Sequence, residues 1–199
     1  MYIQIKTHKF NADSLNTTDE LLEHAKVRPI VSCCGSPTEL VAGLVTTILS
    51  PLLQFVPSHL ENIHTHLEQL GKLDSTQLKN LKFCSGDISA LYTNIEIDAC
   101  VNDVIEFANE HIDSLNLCGL TLRDIHELLE LVLTNSYFTY DGRLYKQLVG
   151  LFMGCRPSPI AAIIRVYRFE RASIYIDITY ITLHGRYIDD AYTVTEDEE

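Results

Sequence analysis

Two adjacent aspartates, Asp189 and Asp190, interrupt the apolar and aromatic segment HGRYIDDAYTV, which spans residues 184–194. Successive side chains of a β-strand point to opposite faces, so both carboxylates cannot face solvent if one face of this segment is buried. A buried carboxylate without a partner is strongly destabilising. The segment therefore requires a cation, a charged partner or a turn. A hairpin turn is the simpler interpretation because Asp is common in turns, and the tip of a turn can also hold a metal ion.

A third carboxylate, Asp87, follows the apolar segment LKFCSG and opens the segment DISALYTNI. Taken alone, Asp87 is most simply a helix cap or a turn residue. Taken with Asp189 and Asp190, it could complete a set of three aspartates on adjacent strands. Such a set can hold two divalent cations that activate a 3′-hydroxyl and stabilise a leaving pyrophosphate. Mg²⁺ suits this arrangement because it prefers oxygen ligands and lets substrate phosphates complete its shell.

The charge of the chain is unevenly distributed. The 199 residues carry a net charge of −12, with seven basic and eight acidic residues in 1–86 but eight basic and nineteen acidic residues in 87–199. A self-sufficient nucleic-acid binder is expected to be basic, so the composition argues against one. With 46% hydrophobic residues, the chain can bury a core as one domain or as two closely packed lobes.

Cysteine usage and hydropathy predict a soluble intracellular protein without a membrane segment, in a nuclear or cytoplasmic compartment that the sequence does not distinguish. The most apolar stretch, LVAGLVTTILSPLLQFV, is interrupted by polar residues and Pro51, and it is too short to span a bilayer. The six cysteines form no C-x-x-C pair, which argues against a zinc site and favours reduced, mostly buried thiols.

Periodicity and capping signals predict an α+β fold with a small antiparallel sheet. An apolar stripe predicts a helix over 98–113, and an Asp-Gly pair at 141–142 predicts a β-hairpin. Strands are expected over 178–183 and 186–194. The N-cap residues predicted for four helices are Ser36, Ser58, Thr121 and Ser158. The chain lacks the regular βαβ alternation and glycine-rich phosphate loop of a doubly wound nucleotide fold.

Three segments, in order, resemble motifs A, B and C of the reverse transcriptase palm. They are SGDISALYTNI, YFTYDGRLYKQLVGLFMGCRPSP and HGRYIDDAYTV, and they are most similar to the Penelope-like and related non-LTR retroelements. Upstream, YIQIKTHK and VRPIVSCCGSPTE resemble the fingers segments of the same family. The resemblance extends from about residue 2 to residue 194, which is nearly the whole chain.

The resemblance implies a right-hand polymerase architecture. Residues 1–80 would form a fingers-like segment with a helical region, and residues 81–199 would form the palm. Within the palm, motif A would span 87–95, motif B 137–170 and motif C 186–194, followed by an acidic tail at 196–199. A basic thumb and an endonuclease do not follow motif C, so a longer natural chain would have to supply them.

The resemblance also implies roles for individual residues. Asp87, Asp189 and Asp190 would be catalytic and would bind two Mg²⁺ ions, with Mn²⁺ as a substitute. The residues expected to contact the incoming nucleotide are Arg28, Tyr92, Gln147, Met153 and Gly154, with Gly150 in the same motif B loop. The residues expected to contact nucleic acid are Lys6, Lys9 and Arg165. A core tyrosine is the alternative for Tyr92, and solvated surface side chains are the alternative for the lysines.

The implied activity is RNA-directed DNA polymerisation by a retroelement fragment, with an RNA template, a DNA primer and deoxynucleoside triphosphates as partners. Two departures favour an alternative, a catalytically inactive or domesticated remnant that serves as a binding module. Arg156 stands where the motif B pattern has its first proline, and Arg165 stands in an otherwise apolar helix. A viral RNA-templated RNA polymerase is a weaker third alternative, because its motif C usually reads G-D-D.

Overall fold

The computed structural model describes residues 2–5, 27–73, 81–173 and 181–196, and for 2–5 and 27–29 it describes the backbone. The fold class is confirmed: the described chain is mixed α and β, with small antiparallel sheets and packed helices. None of the described helices is long and apolar enough to cross a membrane. All six cysteines are free, and half of them are buried rather than most: Cys33, Cys100 and Cys155.

Helices build the core. The α-helices are α1 (Glu39–Leu49), α2 (Ile63–Gly71), α3 (Leu91–Asn94), α4 (Ile97–Glu110), α5 (Leu122–Thr134) and α6 (Ser158–Ser173), with short 3-10 helices at Ser50–Phe55 and Ile112–Ser114. Helix α4 packs against α5 and α6, and α1 packs against α5. The predicted stripe of α4 is confirmed at Val101, Val104 and Ala108, which are all buried.

The strands form three antiparallel groups. Strands β1 (Tyr2–Ile5) and β2 (Val27–Ile30) pair with each other, as do β4 (Tyr137–Tyr140) and β5 (Arg143–Lys146). Strands β3 (Leu81–Asp87), β6 (Ile181–Tyr187) and β7 (Asp190–Glu196) form a sheet in the order β3–β7–β6. The β4–β5 turn confirms the Asp-Gly prediction, because Asp141 and Gly142 both have positive φ, 49° and 69°.

The capping predictions have mixed outcomes. At α5 the prediction is confirmed, because Thr121 and Asp124 form a capping box. Ser58 is not an N-cap: α2 begins after Asn62, whose side chain accepts hydrogen bonds from the amides of His64 and Thr65. Ser58 is buried and donates to Glu170 instead. The two other N-caps are also displaced: α1 has Thr38 as its N-cap, and Ser158 is already the first residue of α6.

The strand boundaries predicted around the paired aspartates are wrong. The observed strands are β6 and β7, joined by a two-residue turn at Ile188–Asp189, whereas a single strand was predicted over 186–194. Apolar and aromatic residues flank the paired aspartates on both sides, at 187–188 and 191–192, and no Gly or Pro marks the turn. The predicted acidic tail also begins too early, because Glu196 belongs to β7 opposite Leu81; residues 178–180 and 197–199 lie outside the described residues.

Candidate functional site: three aspartates at one hairpin

Two of the three aspartates face each other across neighbouring strands. Asp87 is the last residue of β3, Asp190 is the first residue of β7, and the antiparallel register pairs them directly. Side chains directly opposite in such a pair lie on one face, with Cβ atoms about 4.5–5.5 Å apart. The third, Asp189, is tied to the same strand end: its carbonyl oxygen accepts a hydrogen bond of 2.9 Å from the amide of Ile88.

The site is open to solvent, which corrects the argument from burial. Asp87 and Asp190 are exposed and Asp189 is half-buried, so burial alone does not require a cation here. The alternative of a hairpin turn is confirmed for Asp189. The turn is strained at Ile188, a β-branched residue with φ of 57°. Such a backbone conformation is rare for this residue type and is often found at functional sites.

The donor chemistry of the site suits Mg²⁺, because carboxylate oxygens are the ligands that this ion prefers. Within the described residues, however, no three or more His, Cys, Asp or Glu side chains are grouped so that they could hold a metal ion. The backbone brings the three aspartates to one place without closing their side chains around a common point. Metal binding by Asp87, Asp189 and Asp190 therefore stays a prediction.

A buried polar cluster lies behind the hairpin, on the side of α6. Arg186 of β6 is fully buried and forms an ion pair with Glu170 of α6, with 2.6 Å between Nε and Oε1. Glu170 also accepts hydrogen bonds from Ser58 Oγ and pairs with His184 Nε2 at 3.2 Å. No residue of this cluster was among the predicted site residues. The signal in the sequence was Arg186 itself, a charged residue within the apolar motif C segment.

The cluster strongly favours the charged form of Glu170. Burial alone would raise the pKa of this carboxyl group. Hydrogen bonds from His184 and Arg186 outweigh that effect and lower the pKa to about 2. The neighbouring His59 has a lowered pKa, because it is partly buried and lies near the Arg186 guanidinium. The cluster thus holds a fixed negative charge against a fixed positive one.

The motif B loop packs against the segment that follows Asp87. The amide of Leu151 donates a hydrogen bond of 2.7 Å to the carbonyl oxygen of Tyr92. A Cβ atom at Gly150 would lie 2.5 Å from that oxygen, and Gly150 has φ of 76°. Gly154 has φ of 123°, and a Cβ atom there would also overlap the backbone, in this case that of Val31. These contacts explain why glycine stands at both positions.

Gln147 and Met153 line the same loop. The side-chain amide of Gln147 donates to the carbonyl oxygens of Val149 (2.9 Å) and Gly150 (3.2 Å), so it supports the loop from within. Met153 is half-buried and pairs with Cys155 through an isolated β-bridge. Nucleotide contacts by Gln147, Met153 and Gly154 stay predictions.

Solved structures with a similar fold include telomerases. Apo telomerase from Candida tropicalis, truncated from its C-terminal domain, matches with a TM-score of 0.58 and 16% identity over 82% of this chain and 34% of that chain. Telomerase from Candida tropicalis in complex with the TWJ fragment of telomeric RNA matches with a TM-score of 0.62 and 14% identity, over 78% and 29%. The corresponding Candida albicans complex gives 0.57 and 14%, over 80% and 30%.

This is a reverse-transcriptase-like fold. The chain corresponds to about a third of the length of those telomerase chains. The sequence matches no protein-family model, and no curated protein is significantly similar to it. The structural similarity supports the fold. At such low identity, it does not distinguish a retroelement type.

Within this reverse-transcriptase-like fold, the remaining predicted nucleotide contacts occupy different surroundings. Tyr92 lies in α3 and is half-buried against the hydrophobic core. This position agrees with the alternative that Tyr92 is a core residue. Its predicted role beside the incoming sugar stays a prediction. Arg28 lies in β2 with its backbone opposite Gln4. Lys6 and Lys9 lie outside the described residues.

Arg165 has a structural role in addition to the predicted one. Its guanidinium forms an ion pair with Asp103 of α4 and lies 4.6 Å from the centre of the Phe169 ring. Arg168 and Arg171 continue the series along α6 and pair with glutamates of α4 at 2.5–2.9 Å. Three arginines of α6 therefore join it to α4, and contact between Arg165 and nucleic acid stays a prediction.

Proposed function

We propose that this chain is the fingers and palm of a retroelement reverse transcriptase, which adds deoxynucleotides to a primer 3′-hydroxyl on an RNA template. One observation supports the proposal above all others. In a reverse-transcriptase-like fold, β3 and β7 pair so that Asp87 lies opposite Asp190, and Asp189 is hydrogen-bonded to the residue after Asp87. These are the three positions at which the motif A and motif C resemblance expects carboxylates.

Each group of residues would have its own role. Asp87, Asp189 and Asp190 would hold two Mg²⁺ ions, which when bound lower the pKa of the attacking hydroxyl and neutralise the leaving pyrophosphate. The half-buried Tyr92 would exclude a sugar that carries a 2′-hydroxyl. The motif B loop, fixed by Gln147 and by the close approach of Gly150 to Tyr92, would form one wall of the nucleotide site.

The proposed RNA template and the proposed Penelope-like type each rest on a separate observation. Two of the similar telomerases were solved with a fragment of telomeric RNA, and we extend RNA binding to this chain as its template. The Penelope-like type rests on the motif pattern, in particular L-Y-T-N-I after Asp87 and R-Y-x-D-D in motif C.

The inactive remnant is the second candidate, and the surface charge favours it. The chain has 15 basic residues against 27 acidic ones, and the α6 arginines that could meet a nucleic-acid backbone already pair with acidic residues of α4. A binding or interaction module would need none of the three aspartates.

Primer extension decides between the two candidates. A 5′-labelled DNA primer on an RNA template would be incubated with deoxynucleoside triphosphates and Mg²⁺ at low salt. The enzyme would be the 199-residue chain, alone and joined to a basic duplex-binding domain. We expect extension by the joined protein, and we expect Asp190→Asn and Asp87→Asn to abolish it without changing the circular dichroism spectrum.

The matched control is Asp141→Asn, which changes an aspartate at the tip of the β4–β5 hairpin, outside the β3–β7–β6 sheet, and should leave extension unchanged. Absence of extension by the joined protein with both Mg²⁺ and Mn²⁺, despite tight binding of the duplex, would contradict polymerase activity and favour the remnant.

A further inference from the structure

We propose that Arg186 is a positioning residue, whose buried guanidinium fixes the turn that carries Asp189. The inference deepens the proposed function and rests on it for its catalytic consequence. Arg186 is among the largest fully buried side chains of the described chain, with a relative exposure of 0%. It lies three residues before Asp189 on the strand that leads into the turn.

The guanidinium joins helix α6 to the turn. Its Nη1 donates a hydrogen bond of 2.9 Å to the carbonyl oxygen of Ile188. Its Nε donates to Glu170 Oε1 at 2.6 Å, and its Nη2 donates to the carbonyl oxygen of Ile163 at 3.1 Å. Glu170 and Ile163 both belong to α6. A planar fork with several fixed donors can serve these acceptors together, which a lysine ammonium cannot do with the same geometry.

The turn needs this restraint because its backbone is strained. Ile188 has a φ of 57°, a region that disfavours β-branched residues. Its carbonyl oxygen is held by Arg186, and the next carbonyl oxygen, that of Asp189, accepts from the amide of Ile88. Two successive carbonyl groups of the turn are thus held from two sides, which orients the Asp189 side chain.

The cluster behind Arg186 is itself anchored. The amide of Arg186 donates a hydrogen bond of 2.6 Å to the carbonyl oxygen of Ser58, and the amide of Leu60 donates one of 3.0 Å to the carbonyl oxygen of Arg186. His184 pairs with Glu170 and with Thr193 on opposite sides of its ring. The outer edge of β6 is therefore held by the 58–60 segment, and a shift of Arg186 would disturb several bonds at once.

Stability alone does not explain a buried ion pair at this place. Replacing such a pair by neutral side chains of similar volume is often neutral or stabilising, whereas removing one partner is strongly destabilising. The guanidinium fork provides what a neutral replacement does not, which is a donor aimed at the Ile188 carbonyl. Orientation of the turn and stability of the fold can therefore be separated by experiment.

The test compares three variants of the 199-residue chain. Arg186→Met with Glu170→Gln removes the donor and leaves no buried charge unpaired, and Gln still accepts from Ser58. Arg186→Lys keeps the positive charge beside Glu170 but loses the fork. Arg171→Gln is the matched control, because it removes an α6 ion pair one residue away, on the side that faces Glu110.

The readout is amide hydrogen exchange followed by NMR in D₂O. The Ile88 amide, which donates to Asp189, reports order in the turn, and the Leu151 amide, which donates to Tyr92, reports the rest of the core. We expect exchange at Ile88 to accelerate at least tenfold in Arg186→Met/Glu170→Gln, with Leu151 unchanged. Arg186→Lys should keep a melting temperature closer to that of the wild type but still accelerate exchange at Ile88. Arg171→Gln should leave Ile88 unchanged.

In the primer-extension protein, we expect the double variant to lose about 100-fold in kcat with little change in KM, because a displacement of about 1 Å can cost this much. Unchanged protection of Ile88 in the folded double variant would overturn the positioning role. Accelerated exchange at Ile88 with no extension even by the wild type would uphold the positioning geometry and refute the proposed function. Accelerated exchange with wild-type kcat would overturn the catalytic part of the inference.

Discussion

Gly150 combines two constraints that can be measured separately. Its φ is 76°, and a Cβ atom there would meet the Tyr92 carbonyl oxygen at 2.5 Å. Gly142 has nearly the same conformation, with φ of 69°, but has nothing within 4 Å of its Cβ position. We expect Gly142→Ala to cost about 1 kcal/mol from the backbone alone. Gly150→Ala should cost about 3 kcal/mol or more, because steric overlap adds to the same strain.

Urea denaturation at neutral pH measures both values, with the m-value as a check that the unfolded states are comparable. Equal losses for the two variants would show that the motif B loop moves away from α3 without resistance.

Tyr92 tests sugar selection at the same scale. Replacement by Val shortens the side chain beside the expected sugar position, so we expect the preference for deoxynucleotides over ribonucleotides to fall by about tenfold or more. The measurement is the ratio of kcat/KM for the two nucleotide types in the primer-extension protein. Tyr140→Val is the control, because Tyr140 lies on the β4–β5 hairpin and is 52% exposed. An unchanged ratio in Tyr92→Val would assign Tyr92 to core packing alone.

At the scale of elements, the attachment of β6 to α6 through Glu170 predicts a dependence of stability on pH. Ionised Glu170 stabilises the fold above its unfolded-state pKa of 4.5, and this stabilisation is lost as the pH falls towards its folded-state pKa of about 2. The contribution is about 3 kcal/mol. Glu170→Gln should therefore be less stable than the wild type at pH 7, with a difference that shrinks between pH 4.5 and 2.

Urea denaturation at several pH values between 7 and 2.5 follows this difference. Glu127→Gln is the control, because Glu127 lies on α5 with 62% of its side chain exposed and pairs only with Arg123 among the described residues. A constant difference between Glu170→Gln and the wild type across this range would show that Glu170 titrates normally.

Local signals in the sequence predict elements well where the chain itself carries the pattern. The α4 stripe, the Thr121 capping box and the Asp-Gly hairpin are each defined by neighbouring residues, and the structure has all three. The paired aspartates indicated a turn, but a left-handed backbone at Ile188 was not predictable in this way, because positive φ violates the local preference of a β-branched residue. Contacts distant in sequence hold it there.

The site shows the same division. The three aspartates and the motif B glycines are visible in the sequence, and their placement follows from the order of the motifs. The partners of Arg186 and Arg165 are not visible, because Glu170 and Asp103 lie 16 and 62 positions away along the chain and meet these arginines only through tertiary packing. Arg165 was predicted to contact nucleic acid, and its guanidinium pairs with Asp103 of α4.

The whole molecule carries too little positive charge to hold a duplex firmly by itself. Each phosphate contact adds affinity that depends on salt through counterion release, and residues 87–199 carry nineteen acidic residues against eight basic ones. We expect the 199-residue chain to bind an RNA–DNA duplex weakly at physiological salt and to extend primers poorly. Addition of a basic duplex-binding domain should restore affinity much more than it changes nucleotide choice.

Fluorescence anisotropy of a labelled duplex at 50 and 200 mM salt, about the range over which counterion release is large, measures the affinity and its salt dependence. The control is the same chain with Arg168→Gln, which removes an arginine already paired with Glu106 and Glu110 and should not alter binding. Tight binding and processive extension by the unmodified chain would show that its own surface grips nucleic acid directly.

The contacts that secure the paired aspartates join parts of the chain that are synthesised far apart. Ser58 meets Glu170 across 112 positions, and Gln69 meets Tyr192 across 123. Contacts of such large sequence separation form late, because the loops they close cost entropy before any contact compensates for it. On the ribosome, Ser58 and helix α2 therefore emerge long before Glu170 and strand β7, which they contact in the fold. The N-terminal segment must remain soluble until those partners are synthesised. The hairpin that carries Asp189 and Asp190 becomes ordered last.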